Sequence, residues 1–215
     1  LLEPVRDEVT ALVRALARFE PVVVNVGDDA AEADARRRLA DAGVPGGAAT
    51  LHRVAMDDAW LRDNGPLFVV NEAGALAATD WRFDGWGGKY AAARDDRVPA
   101  AIAETLGIPR FAYDAVLEGG AIEVDDDGTV LTTRTCLLDG VRNPGLDEPG
   151  YEALLAEGLG ASRLAWLTGG LVDDHTDGHV DTVARFADGG TMLCVVADED
   201  DEDNAATLAA NRARL

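Results

Sequence analysis

The stretch 110–133, RFAYDAVLEGGAIEVDDDGTVLTT, contains three segments with strand character. Apolar, aromatic and β-branched residues dominate these segments, which are 110–114, 119–124 and 129–133. Between the last two, Asp125-Asp126-Asp127-Gly128 is a turn signal that predicts a β-hairpin. The stretch therefore predicts one strand followed by a hairpin.

A helix precedes this strand, and the same order of elements occurs on both sides of it. Pro99 near its first turn and Gly107 past its end limit the helix to about 97–107. The preceding unit is a helix at 30–42, a strand near 51–55 and a hairpin over 67–83. The following unit is a helix at 147–159, a strand at 163–167 and a hairpin of 179–186 and 191–196, joined at 188–190. An amphipathic helix over 5–16, a strand at 22–26 and a last helix from about 204 complete the prediction. The chain therefore repeats helix-strand-hairpin units, which predicts an α/β fold.

Three chemically versatile residues occupy the same place in these units. Asp63, Glu118 and His179 each fall between the first strand and the hairpin, and each lies close to a glycine. Equivalent positions in stacked repeats converge on one axis or face, so we expect a shared site. Carboxylates can hold a planar guanidinium through paired hydrogen bonds, and a histidine can act as general acid and base.

A fourth residue, Asp181, accompanies His179. The segment 179–186 alternates polar and apolar residues, and this predicts a strand with both side chains on one face. Asp63 precedes a strong turn signal, Asn64-Gly65-Pro66, so a turn-capping role is the alternative there. Glu118 can equally be a surface residue at a strand end.

The segment around His179 also has the composition of a metal site. It offers imidazole and carboxylate ligands within seven residues, namely His175, Asp177, His179 and Asp181. A metal-dependent hydrolase that uses bound water is therefore an alternative function. Only His52 remains as a further histidine, and a metal site would leave Asp63 and Glu118 without a shared purpose.

The composition restricts the class of protein. The 40 acidic and 19 basic residues give a net charge of −21, which disfavours nucleic acid and anionic membranes and favours cationic ligands or solubility. The 47% hydrophobic content predicts a globular fold, which we expect to be one domain over 1–215. Apolar runs stay below the ~18 residues of a membrane span, and charged residues interrupt the N-terminal region, unlike in a signal peptide.

The cysteines indicate a reducing compartment. Cys136 and Cys194 make no disulfide framework, and both lie in apolar, strand-like segments that predict small buried side chains. We therefore expect the protein in the cytoplasm.

The motifs in their order resemble those of the agmatine deiminase family, which includes the bacterial-type peptidylarginine deiminases among the guanidino-modifying enzymes. The resemblance covers nearly the whole chain and rests on WLRDNGP (60–66), FDGWGGK (83–89), LEGG (117–120), LTTRTCLL (131–138), RNP (142–144) and DDHTDGHVD (173–181). It implies a fivefold pseudosymmetric α/β propeller of which this chain holds about three blades, as an incomplete single domain. Family members begin further upstream and continue past Leu215, where they carry a catalytic cysteine.

The resemblance also implies a reaction. A guanidino group is hydrolysed to a ureido group with release of ammonia, and agmatine gives N-carbamoylputrescine, a step of putrescine biosynthesis in polyamine metabolism. Asp63 and Asp181 hold the guanidinium, His179 transfers protons, and Glu118 positions His179 or a substrate nitrogen. Trp60 forms a wall for the flat cation, a core tryptophan being the alternative. The reaction needs no cofactor or metal, and homo-oligomerisation stays open.

One substitution bears on the substrate. Agmatine deiminases can carry a Glu four residues before the motif histidine, facing the distal amine of the substrate, and this chain has His175 there. Peptidylarginine or free arginine is therefore an alternative substrate, and a non-catalytic binder of cationic ligands is a further alternative. Cys136 and Cys194 are poor candidates for the thiolate because neither has a neighbouring histidine, so we expect residues 1–215 alone to release no ammonia.

Overall fold

The computed structural model describes residues 2–188 and 190–215. Its residues form two compact units, one up to Met56 and one from Asp57 onward. The first unit consists of α1 (Leu2–Leu16), β1 (Val22–Val26), α2 (Asp29–Asp41) and β2 (Ala49–Arg53). β1 and β2 pair in parallel, and Asp28 caps the crossover helix α2 by accepting a hydrogen bond from the Ala31 N–H at 2.8 Å. A parallel pair needs such a crossover connection.

The second unit begins with α3 (Leu61–Asn64), β3 (Leu67–Val70), β4 (Leu76–Arg82) and the single turn α4 (Gly85–Gly88). It continues with α5 (Val98–Leu106), β5 (Arg110–Val116), β6 (Ile122–Val124), β7 (Thr129–Thr133), α6 (Arg134–Leu137) and α7 (Glu148–Leu159). The remaining elements are β8 (Arg163–Leu167), β9 (Ala184–Asp188), β10 (Thr191–Cys194) and α8 (Glu202–Arg212). Short 3-10 turns cover Asp95–Arg97, Gly119–Ala121 and Val180–Thr182.

Two sheets of the second unit have the same topology. In β3-β4-β5 and in β6-β7-β8, the middle strand is antiparallel to its hairpin partner and parallel to the third strand. The strand after each helix therefore completes the sheet of the preceding hairpin. The mixed α/β class is confirmed, whereas the propeller arrangement and the single domain stay predictions.

The main core lies between α7 and these sheets. Tyr151 and Leu155 of α7 are fully buried among Trp81, Trp166 and Leu137. Burial of such side chains contributes about 1.5–3 kcal/mol each. Gly158 allows α7 to pack closely against Trp81 of β4, since a Cβ at Gly158 would lie 2.5 Å from the Trp81 ring.

Four local predictions were wrong. The strand predicted at 119–124 begins only at Ile122, because Gly119 presses against the Arg62 carbonyl and leaves no room for a Cβ. The strand predicted at 179–186 begins only at Ala184. Cys136 is buried as expected but lies in the helical turn α6, and Cys194 is exposed on the two-stranded sheet β9-β10.

The predicted turn at 188–190 includes residue 189, which lies outside the described residues. Within the described ranges, every helix is too short or too polar to cross a bilayer.

Candidate active site

Asp63 lies in the short helix α3, where it is almost fully buried. Its Oδ2 accepts a hydrogen bond of 3.0 Å from the indole N–H of Trp86. Trp86 adopts a left-handed conformation (φ 58°) between Gly85 and Gly87, a strained backbone of a kind that is enriched at functional sites. Burial raises the pKa of Asp63, although Trp86 and the nearby His179 act in the opposite direction. Trp86 of the FDGWGGK motif therefore donates a hydrogen bond to the buried carboxyl group of Asp63.

Asp174 organises the loop that carries His179. Its side chain accepts hydrogen bonds from the backbone N–H groups of Thr176 and Gly178, both at 3.1 Å, and from the Thr176 hydroxyl. That hydroxyl in turn accepts a bond of 3.1 Å from the His179 N–H. Burial tends to raise the pKa of Asp174, but these hydrogen bonds outweigh it and hold the pKa below its usual value. The carboxylate therefore fixes the loop.

His179 lies between two carboxyl groups and is only 2% exposed. Its Nδ1 is 3.5 Å from Asp63 Oδ1, and its Nε2 is 3.9 Å from Glu118 Oε2. Among the described residues, Nε2 has no hydrogen-bond partner. A buried imidazole with one free nitrogen can take up and release a proton within this site.

Glu118 is fully buried and both of its oxygens face Arg142. The Arg142 Nε–H lies 2.9 Å from Oε1 and 2.8 Å from Oε2. Burial tends to raise the pKa of Glu118, but His179 and the Arg142 charge outweigh it and hold the pKa below its usual value. Glu118 is therefore a carboxylate with an internal counter-ion.

Asp181 lies close to Asp63 and His179, although the strand predicted through His179 and Asp181 does not form. The chain enters the 3-10 turn Val180–Thr182 directly after His179, so His179 and Asp181 do not share a strand face. The turn nevertheless brings one carboxylate oxygen of Asp63, one of Asp181 and a nitrogen of His179 within 4.8 Å of one another. Arg62 contacts the edge of this group, with its Nε 3.5 Å from Asp181 Oδ2.

Gly120 underlies these three side chains. A Cβ on Gly120 would lie closer than 3.0 Å, the limit that real Cβ atoms keep, to Asp63 Oδ1 and His179 Nδ1, and 3.0 Å from Asp181 Oδ2. The missing side chain therefore allows the two carboxylates and the imidazole to pack directly against the backbone of Gly120.

The predicted metal set is not brought together. In the part of the chain that the structure describes, the groups able to offer three ligand atoms are Asp63-His179-Asp181 and Glu118-Cys136-His179. Neither includes His175 or Asp177, because Asp177 and Gly178 both have positive φ and turn the chain between His175 and His179. A metal hydrolase would thus need another ligand set than the one predicted.

The structure places the remaining predicted residues as follows. Trp60 is 53% exposed, which rules out the core tryptophan and leaves the substrate wall as a prediction. His175 is exposed, with its ring edge-on to Trp86 at a centroid distance of 5.8 Å. Cys136 does have a histidine nearby, contrary to the expectation, since its Sγ lies within 4.8 Å of a His179 nitrogen. Burial raises the pKa of its thiol well above the ordinary range, so it stays protonated.

The sequence reasoning gave no role to Trp86, Gly120 and Arg142. Trp86 and Arg142 stand in the quoted motifs 83–89 and 142–144, and Gly120 stands in 117–120. The signal was a tryptophan flanked by glycines and an arginine within a recognisable motif, but their partners lie far away along the chain.

Comparisons with known proteins identify relatives. The family model of the Porphyromonas-type peptidyl-arginine deiminases matches residues 1–215. The agmatine deiminase of Ectopseudomonas mendocina (strain ymp) is 39% identical over 208 residues, which cover 94% of this chain and 55% of that protein. The agmatine deiminase of Stutzerimonas stutzeri (strain A1501) is 40% identical over 218 residues, which cover 99% and 58%. The chain thus spans little more than half the length of these curated relatives.

Solved structures agree with these matches. The agmatine deiminase of Enterococcus faecalis superposes with a TM-score of 0.89 at 33% identity, over 99% of this chain and 58% of that one. A Cys-to-Ser variant of the C. jejuni agmatine deiminase, solved with substrate bound, superposes with a TM-score of 0.86 at 28% identity, over 99% and 62%. The chain belongs to the Porphyromonas-type peptidyl-arginine deiminase family.

Proposed function

We propose that the protein carrying this chain hydrolyses a guanidino group to a ureido group and releases ammonia, with agmatine as substrate and N-carbamoylputrescine as product. The convergence of Asp63, His179 and Asp181 above Gly120 is the observation that carries this proposal. The reaction would supply putrescine biosynthesis, and the net charge of −21 suits a cationic substrate.

Two carboxylates suit the shape of a guanidinium. The cation presents N–H donors in a rigid plane, and Asp63 and Asp181 can each accept from one edge of that plane. Gly120 allows Asp63, Asp181 and His179 to converge, because any side chain there would collide with Asp63 and His179 and push them apart. The two acids therefore orient the guanidinium carbon.

His179 can move the protons of a two-step reaction. A cysteine thiolate attacks the guanidinium carbon, and the C–N bond breaks as His179 protonates the departing amine, which leaves as ammonia. Water then attacks the carbon of the covalent amidino intermediate and gives one proton to His179. The C–S bond breaks as the ureido C=O forms, the hydroxyl proton passes to solvent, and the thiolate is restored. The C. jejuni Cys-to-Ser variant with bound substrate supports a cysteine nucleophile. Cys136 does not suit this role because its buried thiol has a raised pKa.

The substrate class rests on the relatives. Those compared above are described as agmatine deiminases, whereas the family name refers to peptidyl-arginine. The imidazole of His175 cannot offer a distal amine the negative counter-charge that a Glu carboxylate would. Free and peptide-linked arginine therefore remain the alternative substrates. The propeller arrangement implied by the resemblance, a cytoplasmic location and any homo-oligomer belong to this proposal.

A substrate screen tests the proposal. The natural-length polypeptide that carries this chain is purified and incubated with agmatine, free arginine and a C-terminal arginine peptide, and both ammonia and the ureido product are measured. We expect turnover of agmatine that survives metal chelation. Turnover abolished by chelation and restored by a metal would favour the metal hydrolase, for which the Asp63-His179-Asp181 group is the candidate site. Cation binding by calorimetry without any turnover would favour the non-catalytic binder.

A further inference from the structure

The buried guanidinium of Arg142 connects Glu118 to the loop that carries His179. We propose that Arg142 is a positioning residue: it keeps Glu118 ionised, directs it to His179, and holds the His179 loop in place. This inference rests on the proposed function, because it concerns the group that transfers protons there.

The contacts of Glu118 indicate that it acts through His179. Both of its oxygens lie within 2.9 Å of Arg142 Nε, and the side chain is fully buried. The nearest other partner is His179 Nε2 at 3.9 Å, a nitrogen without a hydrogen bond in the described residues. These contacts therefore favour orienting His179 over contacting a substrate nitrogen as the role of Glu118.

A further nitrogen of the guanidinium reaches the His179 loop, since Arg142 Nη2 donates to the Thr176 carbonyl at 2.7 Å. Arg142 Nη1 donates to Asp139, which lies outside that loop, at 3.2 Å. Thr176 also accepts the His179 N–H through its hydroxyl. One planar group thus fixes both the imidazole-bearing loop and the carboxylate that faces the imidazole, which a lysine with its single ammonium could not do in the same geometry.

The charge of Arg142 has a separate effect. A carboxylate as buried as Glu118 would favour its protonated form without a cation, and a neighbouring cation lowers a carboxyl pKa by about 1–3 units. Protonated Glu118 would no longer offer a negative charge to the imidazolium that forms at His179. Loss of Arg142 should therefore affect proton transfer and leave the clamp formed by Asp63 and Asp181 in place.

The test compares Arg142→Met, which removes the charge, with Arg142→Lys, which keeps it. Arg38→Met is the matched control, since Arg38 is also largely buried and forms ion pairs with Asp34, Asp7 and Glu3, all in the first unit. The titration of Glu118 is followed by carbon-13 NMR of protein labelled at the glutamate carboxyl carbon, with the signal assigned by Glu118→Gln. We expect the midpoint to rise by about one pH unit or more in Arg142→Met and to stay near its original value in Arg142→Lys and Arg38→Met.

Steady-state kinetics give the second readout. We expect Arg142→Met to lower kcat at least about tenfold with KM changed less than about threefold, because the contacts to substrate remain. Arg142→Lys should lower kcat as well, since it loses the planar link to Thr176. An unchanged Glu118 midpoint, or a rise in KM with constant kcat, would overturn the proposal.

Two further outcomes are decisive. If Arg142→Met does not fold, Arg142→Lys carries the test, and a kcat equal to that of the unsubstituted protein would overturn the positioning role. If the protein turns over none of the substrates, the proposed function fails, and the NMR titration still decides whether Arg142 controls the ionisation of Glu118.

Discussion

The two sides of His179 contain the same kind of residue with pKa values shifted in opposite directions. On the Nε2 side, Glu118 has the guanidinium of Arg142 as its internal counter-ion, and its pKa lies below the ordinary value. On the Nδ1 side, the partners of Asp63 among the described residues are the neutral N–H of Trp86 and the imidazole, and burial raises the pKa of Asp63. A carboxylate that already has an internal guanidinium supports the site, whereas one without it can accept a guanidinium from a ligand.

Asp181 lies with Asp63 on the Nδ1 side of His179. Its nearest cation is the half-exposed Arg62, at 3.5 Å and without a hydrogen bond. An ion pair of this kind in contact with solvent contributes at most about 1 kcal/mol. A bound guanidinium can therefore compete for Asp181 far more readily than for Glu118.

The largest effect on activity should come from His179, which lies between Glu118 and Asp63. We expect His179→Ala to lower kcat by about a hundredfold or more, because general acid-base catalysis typically contributes 10²–10⁴-fold. His52→Ala, in strand β2 of the first unit, is the matched control and should retain activity. Ammonia release from agmatine provides the measurement, and equal rates for the two variants would remove His179 from the reaction.

The next largest effect should distinguish the acids proposed to bind the cation, Asp63 and Asp181, from Glu118. Asp63→Asn and Asp181→Asn keep the shape of the side chain but remove a charge beside the cation, which costs roughly 1.5–3 kcal/mol or about ten- to a hundredfold in kcat/KM. Asp114→Asn is the control, since that side chain is almost fully exposed. A large part of the loss should appear in KM, in contrast to the effect expected for Arg142. Near-normal kinetics in either variant would exclude that acid from the clamp.

The fold was predictable from local signals to a large extent. The turn at 125–128 and the end signals of the helix predict β7 and α5 almost to the residue, because turn chemistry and end signals are properties of short segments. The failure at 119–121 has a tertiary origin, because Gly119 packs against the distant Arg62 carbonyl. The failure at 180–182 follows a loop that Asp174 fixes through local hydrogen bonds, which an alternation of polar and apolar residues does not reveal.

The site was predictable in its acids and histidine but not in their partners. Asp63, Glu118 and His179 follow from their equivalent places in the repeat, and the structure brings them together. The bonds Trp86–Asp63 and Arg142–Glu118 join residues 23 and 24 positions apart. Whether a charged or aromatic residue will be buried against a given acid depends on packing, which the sequence alone does not reveal.

A smaller effect should follow from adding a side chain where the acids and the histidine pack together. A methyl group at position 120 would lie closer to Asp63 Oδ1 and His179 Nδ1 than real Cβ atoms come, so both side chains would have to move. We expect Gly120→Ala to weaken binding of guanidinium compounds by about tenfold, a cost of about 1.4 kcal/mol. Calorimetry measures the affinity, and Gly27→Ala is the control because a Cβ there meets nothing within 4 Å. Equal affinities in both variants would show that the cation binds elsewhere.

The smallest effect concerns the pH dependence of binding. Because the pKa of Asp63 is raised, mainly by burial, affinity for a cation should be complete above that pKa and fall as the pH decreases through it. Trp86 stabilises the charged form of Asp63 by donating a hydrogen bond, so Trp86→Phe should raise the pKa further. A net hydrogen bond of about 0.5–1.5 kcal/mol corresponds to a displacement of the affinity curve toward higher pH by roughly half a unit to one unit. Affinity measured by calorimetry across the acidic range checks this, with Trp166→Phe as the control for loss of a buried indole outside the site. A curve that moves toward lower pH, or one that moves equally in the control, would mean that Asp63 does not bind the cation.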